Sequence, residues 1–254
     1  MKAYLRALAF LTVIPLPFVP FDEEGKDLAG AAAFFPLAGA TLGLVLAAVA
    51  WMLLKVFPPL PTVVIVLIIN FFLTRGIHFD GLTDTADGLI GTTDREKAFR
   101  AMKDSSVGVM GAAVLFFVYL LKVFLLAEFT VEILPLALII VPLAGRWAIV
   151  YSGVWYQPAS GQGLGELFLR HLRWPLLIKA SLVSVVFLAI LTWWQPALGM
   201  PAILGCLAAL ISSHLLAAYA AFRLGGLTGD ILGANSELGE LIFIIFFYLG
   251  LSYF

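Results

Sequence analysis

Apolar stretches long enough, or nearly long enough, to cross a lipid core alternate with short polar connections along the whole chain. They run from Ala29 to Val56, Leu60 to Thr74, Val107 to Ala127, Ile133 to Val154, Leu176 to Trp194, Ala202 to Phe222 and Leu238 to Phe254. About 20 apolar residues in a helix cover a hydrocarbon layer about 30 Å thick, so each stretch predicts a transmembrane helix. The second is short and needs tilt or help from its flanks. Phe57-Pro58-Pro59-Leu60-Pro61 breaks the chain after the first stretch, because proline cannot continue a helix, and predicts a hairpin there. The expected fold class is all-α: a polytopic transmembrane helix bundle of about six to eight spans, best counted as seven. Residues 1–254 then form a single integral-membrane domain.

Composition strengthens this reading. The chain is 62% hydrophobic and 12% charged, against about 25% charged in a soluble domain, so its surface has too little polar coat for water. A net charge of −1 argues against a nucleic-acid binder, which normally shows a basic stripe. Cys206 is the 1 cysteine and stands in an apolar run, which excludes a disulfide framework or a cysteine metal cluster and reads as packing. The opening MKAYLRALAFLTVIPLPF has the basic-then-apolar order of a signal peptide. No small-x-small cleavage site follows, however, and Pro15 and Pro17 interrupt the run. A retained entry segment lying in the membrane interface is expected.

Basic residues are retained on the cytoplasmic side of a membrane. One side of the seven-span arrangement collects Lys2, Arg6, Lys26, Arg75, Arg95, Lys97, Arg100, Lys103, Arg170, Arg173, Lys179 and Arg223, and the other only Lys55 and Lys122. The first side is expected to be cytoplasmic, with the N-terminus inside and the C-terminus outside. Gly39 and Gly43 in the first span predict close helix packing, within the monomer in preference to a dimer face. Trp147, Trp155, Trp174, Trp193 and Trp194 fall near span ends and read as interfacial anchors.

The chemistry concentrates between Thr74 and Gly108, in a cytoplasmic acidic segment spanning residues 75–106. It holds Asp80, Asp84, Asp87, Asp94, Glu96 and Asp104, more than a third of the chain's 16 acidic residues. On a helix, Asp80, Asp84 and Asp87 share one face. Three adjacent carboxylates repel unless they are fully solvated or a divalent cation neutralises them. Mg²⁺ takes hard oxygen ligands and commonly sits between carboxylates and substrate phosphates, so the spacing suits a metal that grips a diphosphate. A solvated acidic loop is the plainer alternative. Arg75, His78, Arg95, Arg100 and Lys103 surround the cluster and would balance remaining phosphate charge. His78 is open to three roles: general base, metal ligand or hydrogen bonder.

A second polar segment, residues 223–237, reads as a glycine-rich cytoplasmic loop carrying Thr228, Asp230, Asn235 and Glu237. Glycines let backbone amides approach a ligand closely, and the topology puts this loop on the face of the aspartate cluster, so that both line one cavity. A plain turn capping the last helix is the alternative. Arg146 lies inside an apolar run, where it is expected to meet the cluster, a phosphate or, by snorkelling, the interface. His214 reads as packing or an interhelical hydrogen bond.

HFDGLTDTADGLIG, MKDSSVGVMG, the Gly145-Arg146 pair before an apolar run, and GGLTGDILGANSELGE together resemble the cobalamin synthase family, the adenosylcobinamide-GDP ribazoletransferases. FLTVIPLP and FFPLAGATLG extend the resemblance over essentially the whole chain. It implies a Mg²⁺-dependent enzyme of the cytoplasmic (inner) membrane acting in the last stage of cobalamin assembly. The corrinoid adenosylcobinamide-GDP would pass its phosphate-bearing part to the 5′-hydroxyl of α-ribazole or its 5′-phosphate, and GMP would leave. Asp80, Asp84 and Asp87 take the place of the family's acidic motif and are expected to bind Mg²⁺, with Asp230 as a further ligand and one carboxylate accepting the hydroxyl proton. Arg75, Lys103, Asp104, Arg146, Thr228, Asn235 and Glu237 are expected to contact substrate. The implied partners are these small molecules and membrane lipid, not nucleic acid, with a homo-oligomer left open.

Two other classes compete. Asp84-Thr-Ala-Asp87-Gly88 echoes the motif of the CDP-alcohol phosphotransferases, but the Ala-Arg and two later aspartates of that motif are missing. A cation-coupled transporter would put charge near the bilayer midplane in several spans. On the sequence, nearly all charge gathers at one surface.

Overall fold

The computed structural model describes residues 1–14, 22, 24–159 and 163–253, so the expectation for Pro15 and Pro17 lies outside the described residues. The described chain is helical, and its one β feature is an isolated parallel bridge between Pro158 and Leu227. In order come α1 (Lys2–Leu11), α2 (Lys26–Ala31), a short 3-10 turn (Ala32–Phe34), α3 (Phe35–Leu53), α4 (Pro59–Leu73), α5 (Ile77–Leu89) and α6 (Arg95–Met102). They are followed by α7 (Val109–Ala127), α8 (Ile133–Gly153), α9 (Leu164–His171), α10 (Trp174–Trp194), α11 (Pro196–Leu224) and α12 (Gly229–Tyr253).

Among the described residues, 6 helical stretches are long and apolar enough to cross a membrane, counting α2 through α3 as one. The count reaches 7 if α4 and α5, bent by 91°, form one broken span. The protein is therefore a multi-pass helical bundle. Helices α8 and α12 are the most buried spans, whereas α7 and α10 lie at the periphery. Phe116, Phe117 and Phe124 of α7, and Leu182, Val186 and Ile190 of α10, are exposed, as suits side chains that face lipid. Helix α1 buries Ala7, Leu8 and Leu11 against the bundle.

Helices α3 and α8 approach most closely where Gly39 and Gly43 face the α8 backbone, so the small-residue pair serves packing within the chain. A Cβ at Gly43 would stand 2.6 Å from the Leu138 carbonyl oxygen and 2.7 Å from Ile139 Cα. Gly43→Ala is expected to force the two helices apart and destabilise the bundle by about 1–3 kcal/mol, the usual cost of overpacking. Thermal aggregation of detergent-extracted protein measures this, and an unchanged midpoint refutes it.

Three features differ from the sequence reading. Helix α4 covers 15 residues and turns sharply at Arg75 and Gly76, both left-handed (φ 55° and 64°), which produces the bend into α5. Helix α12 begins at Gly229, well before Leu238, because its polar first turns pack inside the bundle, where hydropathy does not register them. Trp147 is buried and donates its Nε1–H to Ser181 (3.0 Å) instead of marking an interface.

Candidate active site

Helix α5 carries Asp80, Asp84 and Asp87, and the packing around it decides what they can do. It runs antiparallel to α7. Asp87 meets Gly108 and Gly111 at the start of α7, and the Phe79 ring lies tilted against Tyr119 (centroids 4.2 Å apart), roughly three turns further along. The acidic helix thus dips into the bundle from the face that carries most of the lysines and arginines. On its other side it lies against α12, where a Cβ at Gly81 would stand 2.7 Å from the Asp230 carbonyl oxygen. Only a glycine permits that approach, and it sets the α5 carboxylates beside the first turn of α12. Arg223 holds the outer end of α5 by donating to Leu89 O (3.2 Å) and Thr92 O (2.6 Å).

Asp80, Asp84 and Asp230 gather where α5 and α12 meet. Asp84 lies within electrostatic reach of Asp80, Asp230 and Asp87, and Asp230 within reach of Asp80. Among the described residues, no salt bridge reaches any of the four. Nor do three His, Cys, Asp or Glu side chains form a ready metal cage among the described residues. Asp87 stands apart in its duties. The Gly108 N–H and Gly111 N–H donate to its two carboxylate oxygens (2.7 and 2.8 Å), so it caps the start of α7 from a neighbouring helix.

Asp80, Asp230 and His78 line a cavity of about 190 Å³. A second recess adjoins it at Asp230 and holds Thr228 and Lys103. The Thr228 hydroxyl donates to Asp230 (3.3 Å) and accepts from the Ile231 N–H (3.3 Å), fixing the entry to α12. Lys103 ends α6 with its side chain exposed. Asp104 is exposed and lines neither cavity. The Ser106 hydroxyl and N–H donate to it (2.6 and 2.9 Å) and hold its carboxyl below the ordinary range. Arg75 donates to the Phe10 carbonyl (3.4 Å) and so ties the α4–α5 turn to α1.

Arg146 and Glu237 belong to a different arrangement. Deep between α5, α7, α8 and α12, Lys122 donates to Glu237 (2.6 Å) and Glu240 (2.7 Å), and Tyr119 to Glu237 (3.0 Å). Arg146 pairs with Glu240 and reaches His78 Nδ1 at 3.3 Å. Lys122, Arg146, Glu237 and Glu240 are each at most 2% exposed. This corrects three expectations. Lys122 is no outer-face charge, the partner of Arg146 is not an aspartate of the cluster, and the interior does hold charge in several spans. Asn235 is also fully buried, with both amide atoms unpartnered, and lies outside the cavity lining. Sequence reasoning missed Tyr119 and Glu240. The signal that could have found them is an intramembrane lysine, which almost always has a carboxylate partner. His214 packs among Tyr151, Trp155 and Tyr156.

A helical bundle that keeps its uncompensated carboxylates beside a cavity at one end, and neutralises its deeper charges internally, has the form of an integral membrane enzyme. The family model for cobalamin-5-phosphate synthase matches residues 3–248, and the chain belongs to that family of transferases. It is 38% identical to the adenosylcobinamide-GDP ribazoletransferase of Desulfitobacterium hafniense (strain Y51) over 246 residues, 94% of this chain and 93% of that one. The protein of the same name from Acetivibrio thermocellus is 32% identical over 250 residues, 98% of each chain. That of Roseiflexus sp. (strain RS-1) is 36% identical over 236 residues, 93% of this chain and 85% of the relative. No solved structure matches the chain.

Proposed function

We propose that this protein joins adenosylcobinamide-GDP to α-ribazole, or to α-ribazole 5′-phosphate, and releases GMP. The product is adenosylcobalamin or its 5′-phosphate. The observation that carries the reading, together with family membership, is that Asp80 of α5 and Asp230 of α12 line one cavity, with Asp84 within electrostatic reach of both and, among the described residues, no salt bridge to offset them. These are hard oxygen donors without a counter-charge, which fits Mg²⁺. The lack of a three-ligand cage fits an ion held by one or two carboxylates, waters and substrate phosphates. One or two of Asp80, Asp84 and Asp230 would hold the ion, which when bound neutralises diphosphate charge and makes GMP a good leaving group.

The chain's own groups do the rest. A ribose hydroxyl of the nucleoside attacks the phosphorus on the corrinoid side of the diphosphate, the bond to the GMP oxygen breaks, and a cluster carboxylate takes the hydroxyl proton. The 5′ position is not the nucleophile, because α-ribazole 5′-phosphate carries its phosphate there and the product keeps it. Lys103, beside Asp230, supplies positive charge for a phosphate oxygen. Positioning of the two reactants provides most of the remaining acceleration. Twelve of the lysines and arginines flank the spans on the site's face, and with Lys122 and Arg146 buried inside, Lys55 is left near the other. That asymmetry supports a cytoplasmic membrane location with the site facing the cytoplasm.

The test is GMP release by the protein in nanodiscs. Release should require adenosylcobinamide-GDP, α-ribazole and Mg²⁺ together, and should stop on chelation. Release of CMP from a CDP-alcohol, or no GMP release under these conditions, overturns the reading.

A further inference from the structure

The 190 Å³ cavity beside the carboxylates is walled mostly by hydrocarbon. Phe10 and Leu11 of α1, Phe35 of α3, Ile149 of α8 and Phe168 of α9 converge on it from four separate parts of the chain. Phe10 and Phe35 stack at 6.0 Å with 14° between planes, and Phe35 and Phe168 at 5.5 Å with 4°. The cavity's polar contributions come from His78, Asp80 and Asp230. The neighbouring recess shares Leu164, Gly165, Gly229 and Asp230 with it, but is polar and carries Lys103 and Thr228. Asp230 therefore stands between an apolar chamber and a polar one.

We propose that the apolar chamber is the subsite for the flat aromatic base of the accepting nucleoside, while the polar recess beside Lys103 receives the phosphate-bearing donor. This rests on the function proposed above. The base of α-ribazole is a dimethylbenzimidazole, whose rim is mostly C–H and methyl and loses little on entering a chamber of phenylalanine and aliphatic side chains. Guanine would leave ring and exocyclic polar atoms unpaired there. The corrin macrocycle is too large for the volume. A nucleoside also explains the charged mouth, since a base in the chamber brings its ribose hydroxyls to Asp80 and Asp230, which accept hydrogen bonds from them. A lipid acyl chain, the rival occupant, would draw an anionic headgroup against those carboxylates.

The test measures α-ribazole binding and steady-state kinetics for nanodisc-embedded wild type, Phe168→Ala and the milder Phe35→Leu. Each substitution should raise KM and Kd for α-ribazole, by about tenfold for Phe168→Ala, the loss typical when one aromatic contact to a base is removed. The KM for adenosylcobinamide-GDP should stay at its wild-type value, and discrimination between the dimethylbenzimidazole riboside and the adenine riboside should narrow. If Phe168→Ala does not fold, Phe35→Leu carries the same expectation on its own. An unchanged α-ribazole Kd, as an acyl-chain chamber would give, overturns the proposal, and so does an equal rise in both KM values. Failure of the parent function would show separately, as absence of GMP release by the wild type.

Discussion

Asp84→Asn should lower GMP release by about a hundredfold or more while leaving the protein at least as heat-stable as the wild type. On the proposed function, the loss would follow from weaker grip on a divalent cation that stabilises several kcal/mol of developing charge, at about 1.4 kcal/mol per tenfold in rate. The preserved stability follows from repulsion. Asp84 faces three other carboxylates without a salt bridge, so neutralising it relieves the ligand-free fold. Asp87→Asn should behave differently. Its carboxylate accepts from both the Gly108 and Gly111 N–H groups, and an amide offers only one oxygen to two donors, so the start of α7 loosens and stability falls by about 1 kcal/mol or more. Activity and thermal melting measured on both variants separate the roles. Near-normal turnover by Asp84→Asn, or wild-type melting by Asp87→Asn, would refute this division.

Lys122→Met should cost the fold about 3–5 kcal/mol, the usual consequence of removing one member of a buried charge group. Without that ammonium, Glu237 keeps only the Tyr119 hydroxyl and Glu240 only Arg146, in surroundings that water does not reach. The second half of the experiment is Lys122→Met combined with Glu237→Gln. Removing the stranded charge should recover much of the loss, because a neutral group is far cheaper to bury than an unpaired ion. Yield of monodisperse protein after heating in detergent reports both. A double variant less stable than the single one contradicts the account, as does a single variant indistinguishable from wild type.

The hydrophobic pattern carried the bundle and the hairpin at Pro58, and the Gly39–Gly43 spacing carried a close helix contact within the chain but not its partner α8, because the first two depend on residues near one another or on a property summed over a window. It could not show that α5 enters the bundle. A helix bearing Asp80, Asp84 and Asp87 has too little hydropathy to register as membrane-embedded, yet it is sheltered by protein on two sides and not by lipid. The early start of α12 was hidden for the same reason, since Asp230, Asn235 and Glu237 face neighbouring helices. For the site, spacing alone placed the three aspartates on one helix. That Asp87 would turn to the α7 backbone, and that Arg146 would find Glu240 across 94 residues, depend on tertiary contacts with no local signature.

The order in which the ribosome delivers these helices gives the deep ion cluster a further meaning. Lys122 and Arg146 enter the membrane before their carboxylate partners exist, the former by 115 residues. Until α12 is translated, two cations in α7 and α8 stand unmatched, and the acidic helix has α7 on one side but lacks its α12 wall. Insertion of α12 therefore completes charge neutrality in the deep cluster and builds the proposed active-site cavity in one event. A nascent chain truncated before Glu237 is left as an unassembled intermediate suited to quality-control proteolysis.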